Sequence, residues 1–296
     1  MTLDQLRMFL AVAERGHVTR AARALNLSQS AVSASIAALQ TQHGVRLFDR
    51  VGRRIALTEA GRLFVEEARS VLSRAEAATL MLEDLAQETR GRLRIHASQT
   101  VASYWLPSKL VELQNTSPGI EIGLKIANTA QVAGAVMEGA ADIGFVEGEI
   151  DEHELTRQIV ARDQLVMVMA PDHPLAKRRN IKPSDYPELE WILREPGSGT
   201  RSEFVRHLED AGYGLSQLEI AMELPSNEAV LAAIACGNKV SVLSRRAAED
   251  ALRSGRVTLI PVRGLERAFH VLTHPQRHQT RAMTAMLDLL DKTTPL

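Results

Sequence analysis

The 296-residue chain is short of several things that would assign it a function at once. It has a single cysteine, Cys236, which excludes an intramolecular disulfide and a multi-cysteine zinc site and fits a reducing cytoplasm. Set in an Ala/Ile-rich run, Cys236 is expected to be a small buried hydrophobe. No apolar stretch approaches the roughly 18 residues that a membrane span requires. The amino terminus has no charged-then-apolar signal pattern. The nine histidines are scattered without metal-ligand spacing, the His274/His278 pair falling on a loop pattern. Ser198 sits in a Gly-rich turn but lacks the full nucleophile-elbow spacing. The expectation is a soluble cytoplasmic protein with no catalytic residue, no metal site and no cofactor. At 45% hydrophobic residues, the length accommodates about two domains and a connector.

What the chain does have is a segregated charge. Residues 1–58 carry eight arginines against three acids, a balance of +5, whereas the remaining 238 residues sum to −6. A basic head on an acidic body is an electrostatic footprint for phosphate. Inside that head, Val18 to His43 reads as two helices about a tight break at Asn26-Leu27-Ser28. Ala21, Ala22 and Ala24 allow a close crossing, and Ser28 is a natural N-cap for the second helix. Val32, Ile36 and Leu39 form one apolar stripe, leaving Ser30, Ser33, Ala34 and Ala37 on a small, uncharged face. Two such helices form a helix-turn-helix whose second helix reads base edges; an Ala-rich hairpin in an all-α core is the alternative. A preceding helix is marked by Leu3, Leu6, Phe9 and Leu10 and ends at Gly16, and Gly44 closes the recognition helix. Val45–Arg50 and Arg53–Leu57 flank Val51-Gly52 as a two-stranded wing, its tip arginines Arg50, Arg53 and Arg54 placed for phosphates or the minor groove, with a solvated loop as the alternative.

From Thr58-Glu59 to about Arg90 the pattern is one long helix. Phe64, Ala68, Val71, Ala75, Ala78, Leu82 and Leu85 step by four and three, an a/d seam of three heptads that predicts a homodimeric coiled coil, a helix lying on its own domain being the alternative. Some 30 residues would span roughly 45 Å. Beyond Gly91, strands near 93–97, 120–126, 142–146, 164–170, 191–193, 219–222, 240–243 and 269–273 alternate with helices near 101–114, 129–138, 201–211, 228–235 and 281–290. The alternation predicts a parallel α/β sheet in two lobes, about 91–163 with 265–296 and about 164–264, resembling periplasmic solute-binding proteins. The domains are therefore expected at 1–58, 59–90 and 91–296.

In such sheets ligands sit at the carboxyl ends of strands near helix N-termini. Ser98-Gln99-Thr100-Val101 follows the first strand of this region, and Asn128-Thr129 follows the second. Gly197-Ser198-Gly199-Thr200-Arg201 opens a helix of the second lobe, and Asn227 precedes a further one. Each is a ready anion cap; simple N-capping is the alternative for any one alone, and convergence on one cleft would favour a small anionic ligand: a sulfur oxyanion, carboxylate or phosphate ester. Glu147 lies near a strand end in the same region; capping or a salt bridge is its ordinary reading.

The order of parts resembles LysR-type transcriptional regulators over the full length. The resemblance rests on Leu3–Glu14, on Ala21–Ser33 (AARALNLSQSAVS) and on Leu47-Phe48-Asp49-Arg50 with Leu57-Thr58-Glu59-Ala60-Gly61. It implies a winged helix-turn-helix, a dimerising linker helix, a two-lobed effector domain and often a tetramer built as a dimer of dimers on double-stranded promoter DNA. It further implies that Thr19, Arg20, Ser28, Gln29, Ser30 and Ser33 face DNA, with Arg50, Arg53 and Arg54 serving the backbone or minor groove. Two departures stand out: Ser30 replaces a frequent proline, and Ala34 a frequent basic residue. With no basic residue before its end, the recognition helix cannot read guanine through a bidentate arginine, so specificity leans on Gln29, the serines and DNA shape. The effector region is most similar to regulators of sulfur assimilation and carbon fixation, through Ala97–Pro107, Ala141–Gly148 and Arg194–Arg201. A ligand-independent DNA-binding regulator and a solute receptor are the competing functions.

Overall fold

The computed structural model describes residues 1–51, 54–85, 91–148, 154–178 and 181–293. They form two compact units, divided near residue 86.

The first unit opens with α1 (Leu3–Arg15), α2 (Val18–Ala24) and α3 (Gln29–His43). Thr2 starts α1 with a reciprocal capping box to Gln5, and the Ser28 hydroxyl accepts the Ala31 N–H at 3.1 Å to start α3, each satisfying a donor the first turn leaves unpaired. Gly44 ends α3 at φ 65°, a left-handed geometry that costs glycine little. The wing is β1 (Phe48–Val51) against β2 (Arg54–Leu57), shorter than the sequence pattern suggested. The Gln40 amide oxygen holds it to α3 by accepting the N–H groups of Leu47 at 2.8 Å and Phe48 at 3.2 Å. Phe9 is fully buried, its ring 5.3 Å from Phe48 and 5.0 Å from Phe64.

Phe64 belongs to α4 (Glu59–Leu85), the long helix, and this alters the reading of its seam. Ala68 is buried in the core of its own domain, and Phe64, Val65 and Leu72 pack on that core. The amino-terminal end of the expected coiled-coil seam is therefore spent inside the domain. Further along, Val71 and Leu82 are exposed, Leu82 by 70%, as is Leu63 one residue before Phe64. The Leu85 side chain lies outside the described residues.

The second unit is an eight-stranded sheet, ordered β4-β3-β5-β10-β6-β9-β7-β8. Its strands are β3 (Gly91–Ser98), β4 (Ile120–Ala127), β5 (Ile143–Glu147), β6 (Thr156–Met169), β7 (Glu190–Arg194), β8 (Glu219–Leu224), β9 (Val240–Ser244) and β10 (Thr258–Thr273). The helices are α5 (Gln99–Tyr104), α6 (Leu106–Thr116), α7 (Thr129–Glu138), α8 (Gly199–Asp210), α9 (Asn227–Ile234), α10 (Arg245–Arg253) and α11 (Arg281–Thr293).

The sheet is mixed rather than parallel throughout. β3 pairs parallel with β4 and β5, and β7 parallel with β8 and β9. The two long strands, β6 and β10, run antiparallel to each other and to β9 and β5 respectively. These strands are the two crossings between halves, so each is longer than its locally apolar segment. One half packs Phe145 and Phe269 against α5, α6 and the Met283 and Met286 side chains of α11, and the other packs Tyr186, Trp191 and Phe204. The single helix expected over 101–114 is two helices broken at Trp105 (φ −132°, ψ −48°), with Pro107 in the first turn of α6, where its missing N–H is harmless. Cys236 is exposed rather than buried, because it follows the last turn of α9 and Ile234 fills the core position. Among the described residues no helix is long and apolar enough to cross a membrane.

Candidate DNA-reading face and effector cleft

In the first unit, Ser28, Gln29, Ser30 and Ser33 are all exposed at the start of α3, opposite buried Val32, Ile36 and Leu39. The Ser28 and Ser30 hydroxyls are 3.0 Å apart, so one hydroxyl pair presents both a donor and free acceptor lone pairs outward. Arg20 is exposed and Thr19 half-buried on α2. Arg53 lies outside the described residues, as do the side chains of Arg50 and Arg54. The frame that aims the wing is visible: Ile55 donates its N–H to Gly16 O at 3.2 Å, and the Thr58 hydroxyl donates to Arg46 O at 2.7 Å.

In the second unit, polar residues collect where strands end. Ser98 closes β3, Glu147 closes β5, Arg194 closes β7 and Ser244 closes β9, all four buried. Asp163 of β6 and Arg267 of β10 join them from the crossings. The Ser98 hydroxyl donates to Glu147 Oε2, and the Thr129 hydroxyl donates to the Glu147 carbonyl at 3.3 Å. Arg267 Nη1 donates to Thr200 Oγ1 at 3.0 Å and lies 3.8 Å from Glu147 Oε1. Its Nε donates to Asp163 Oδ2 at 2.9 Å, and the Ser244 hydroxyl donates to Asp163 Oδ1 at 2.8 Å. Burial pushes the Glu147 carboxyl above its ordinary range, against the pull of Arg267, Arg194 and a Thr100 hydrogen bond.

The first turn of α8 comes in edge-on. A Cβ on Gly199 would lie 2.3 Å from Glu147 O and 2.7 Å from Thr129 Oγ1, so only glycine permits this approach of one half to the other. Ser198 is 2% exposed, and its hydroxyl has no hydrogen-bond partner. A buried unpaired hydroxyl costs about 1–3 kcal/mol, which a ligand oxygen would recover.

A second cluster ties α5 to α9. Gln99 Oε1 accepts from Arg194 Nη1 at 3.2 Å and from the Asn227 N–H at 2.9 Å, and its amide donates to Glu228 at 2.6 Å. Asn227 Nδ2 donates to Thr100 Oγ1 at 3.2 Å, and Tyr104 OH donates to Glu228 at 2.7 Å. Burial works to raise the Glu228 carboxyl, but hydrogen bonds from Tyr104, Gln99 and Ser226 outweigh it and hold the group below its ordinary value.

Ser98, Thr100, Thr129, Glu147, Ser198, Gly199, Thr200 and Asn227 thus come together. Other expected site residues do not join them. Val101 is a fully buried core residue. Asn128 caps α7, its Oδ1 accepting the Gln131 N–H at 3.0 Å, and stands beside Gly197 in the turn before α8. Arg201, expected to bring charge to the cleft, donates instead to Arg194 O at 3.0 Å and pairs with Glu223 of β8. Sequence reasoning missed Asp163, Arg194, Glu203 and Arg267. The signal for Arg267 was present: it alternates with Leu265, Phe269 and Val271 on the inward face of β10, and a buried cation there demands an acid opposite.

Residues 3–62 match the family model for the bacterial regulatory helix-turn-helix protein of the lysR family, and residues 86–294 match the LysR substrate binding domain. The chain is 39% identical over 293 residues to the uncharacterized HTH-type transcriptional regulator YeiE of Escherichia coli K12, covering 98% of this chain and 97% of that protein. The crystal structure of CbnR, a LysR family transcriptional regulator, superposes over 100% of both chains with a TM-score of 0.75 at 21% identity. The regulatory domain of Synechocystis CcmR in complex with 2-PG superposes over 69% of this chain and 98% of that one, with a TM-score of 0.63 and 29% identity. This chain belongs to the LysR family of DNA-binding transcriptional regulators, with an amino-terminal helix-turn-helix and a carboxyl-terminal effector-binding domain.

Proposed function

We propose that this regulator, acting in the cytoplasm, binds promoter DNA under the control of a small anion seated among Ser98, Thr100, Thr129, Ser198 and Thr200. The observation that carries the reading is the buried, unpartnered Ser198 hydroxyl at the head of α8, set against the Ser98–Glu147–Arg267 cluster. The ligand bound to the related CcmR domain, 2-PG, agrees with a phosphorylated metabolite; sulfur oxyanions and carboxylates meet the same donors. The cleft joins strand ends from both halves of the sheet, so an anion that favours one arrangement of those halves shifts their equilibrium. Exposed Leu63, Val71 and Leu82 on α4 support pairing of this helix with a second copy, giving a homodimer and, on DNA, a dimer of dimers.

Melting of the full-length protein against phosphate, sulfite, thiosulfate, phosphoglycolate and organic acids tests the seat. A ligand at a hundredfold its Kd adds about 2.7 kcal/mol of stability, and Ser98→Ala or Thr200→Ala should remove most of that shift. Equal stabilisation of parent and both variants would place the ligand elsewhere.

A further inference from the structure

The cleft read above as an anion seat has no spare positive charge. Among its described residues, the two buried guanidiniums each face a carboxylate: Arg267 Nη2 lies 2.9 Å from Asp163 Oδ2 without a hydrogen bond, Asp163 also facing Arg246 at 3.8 Å, and Arg194 Nε donates to Glu195 Oε2 at 2.8 Å. Glu147 adds a carboxylate at the centre, and Glu203, buried on α8 and paired through Oε2 with Arg206, stands next to it: its Oε1 would lie 3.0 Å from a Cβ on Gly148. The groups facing Glu147 are Ser98 from β3, Thr100 from α5, Thr129 from α7, Ser198 to Thr200 and Glu203 from α8, Asp163 from β6, Arg194 from β7 and Arg267 from β10. An anion entering beside an ionised Glu147 would put two negative charges within contact distance, facing two cations, Arg267 and Arg194, that Asp163 and Glu195 already pair. Hydroxyls and the half-charge of a helix terminus do not offset that repulsion in a buried site.

One proton does. Resting on the anion-seat reading, we propose that the occupied cleft holds a single proton between Glu147 and the bound oxyanion, which makes Glu147 the residue that selects anions of weak acids over those of strong acids. Hydrogen phosphate brings that proton with it, and a phosphate monoester or sulfite acquires one at little cost near neutrality. Sulfate, of the same tetrahedral shape, brings none, and the proton must come from solvent onto Glu147. Burial of Glu147 favours its neutral form, in keeping with this role. Once Glu147 is ionised, sulfate binding must weaken by about tenfold for each pH unit, whereas hydrogen phosphate binding stays level while it retains its last proton.

Isothermal titration of the full-length protein with inorganic phosphate and with sulfate, from pH 6 to 9 in buffers of different ionisation heat, reads both affinity and protons exchanged. The expected result is uptake of about one proton with sulfate at pH 8 and none with phosphate, and a phosphate preference that widens with pH. In Glu147→Gln the amide donates without titrating, so sulfate binding becomes independent of pH and the preference collapses. The pH series on the parent carries the test if that variant does not fold. If both anions bind with equal affinity and no pH dependence, the proton proposal falls while the anion seat stands. If neither binds at any pH, the anion seat falls and the proposal with it.

Discussion

Asp163 and Arg267 stand directly opposite each other in the β6–β10 ladder, and their buried side chains form an ion pair, Nη2 to Oδ2, of 2.9 Å. The pair fastens together the two strands that join the halves of the effector domain. Removing one member leaves the other charged and buried, which costs about 3–5 kcal/mol. Asp163→Ala should lower the unfolding free energy from urea titration by that much, and Asp163→Leu with Arg267→Met should recover much of the loss. A double variant as unstable as the single would show that the charges contribute more than mutual compensation.

Glu147 makes stability depend on pH in a specified direction. Its folded-state pKa lies above the ordinary value, so the folded protein holds this proton more tightly than the unfolded chain. The stability it contributes is present below the unfolded carboxylate range and is lost as pH rises through the raised folded value. Denaturant unfolding of parent and Glu147→Gln across pH 4 to 8 should show the parent losing ground to the variant as pH increases. A constant difference would mean that Glu147 does not titrate abnormally.

The long helix is expected to make two contributions that mutation separates. Phe64, half-buried, packs on Phe9 inside its own domain, so Phe64→Ala should destabilise that domain by about 2–3 kcal/mol, less than a fully buried aromatic. Leu82 is 70% exposed, so Leu82→Glu should leave the fold intact and shift the sedimentation profile toward monomer. A variant at Leu82 that unfolds, or that assembles as the parent does, contradicts this division.

The DNA-reading face predicts two distinct phenotypes. Gln29 and Ser33 are exposed at the head of α3 with no cation beside them on that helix, so Gln29→Ala should relax sequence preference by about 1–3 kcal/mol at one base position. Arg20→Ala should weaken binding to all duplexes and lower the salt slope by about one. Fluorescence anisotropy at several salt concentrations distinguishes the two.

How much of this was legible depended on the size and spacing of side chains. The helix-turn-helix could be read because Val32, Ile36 and Leu39 are large, regularly spaced and preceded by a serine cap. α10 could not, because its buried face is Ala247, Ala248 and Ala251, too small to stand out among arginines and acids. β6 and β10 were read short since their outer ends alternate with Arg157, Gln158 and Arg263, which look like loop. Ser98, Thr129 and Thr200 were found because strand-to-helix handovers are local. Asp163 and Arg267 are separated by 104 residues and neither is near a cap, so only the sheet register brings them together. Arg201 misled for the opposite reason: its place in the Gly-rich turn was right, but its reach took it to Glu223.

The central claim is that an anion in the cleft alters the grip on DNA. Its most direct test is the affinity of full-length protein for a duplex selected from a random pool, measured at constant ionic strength with and without the anion that most raises the melting temperature. A coupling of 1–3 kcal/mol, about 5- to 150-fold in Kd, that disappears in Ser198→Ala is the predicted result. An identical Kd with the cleft saturated would contradict it.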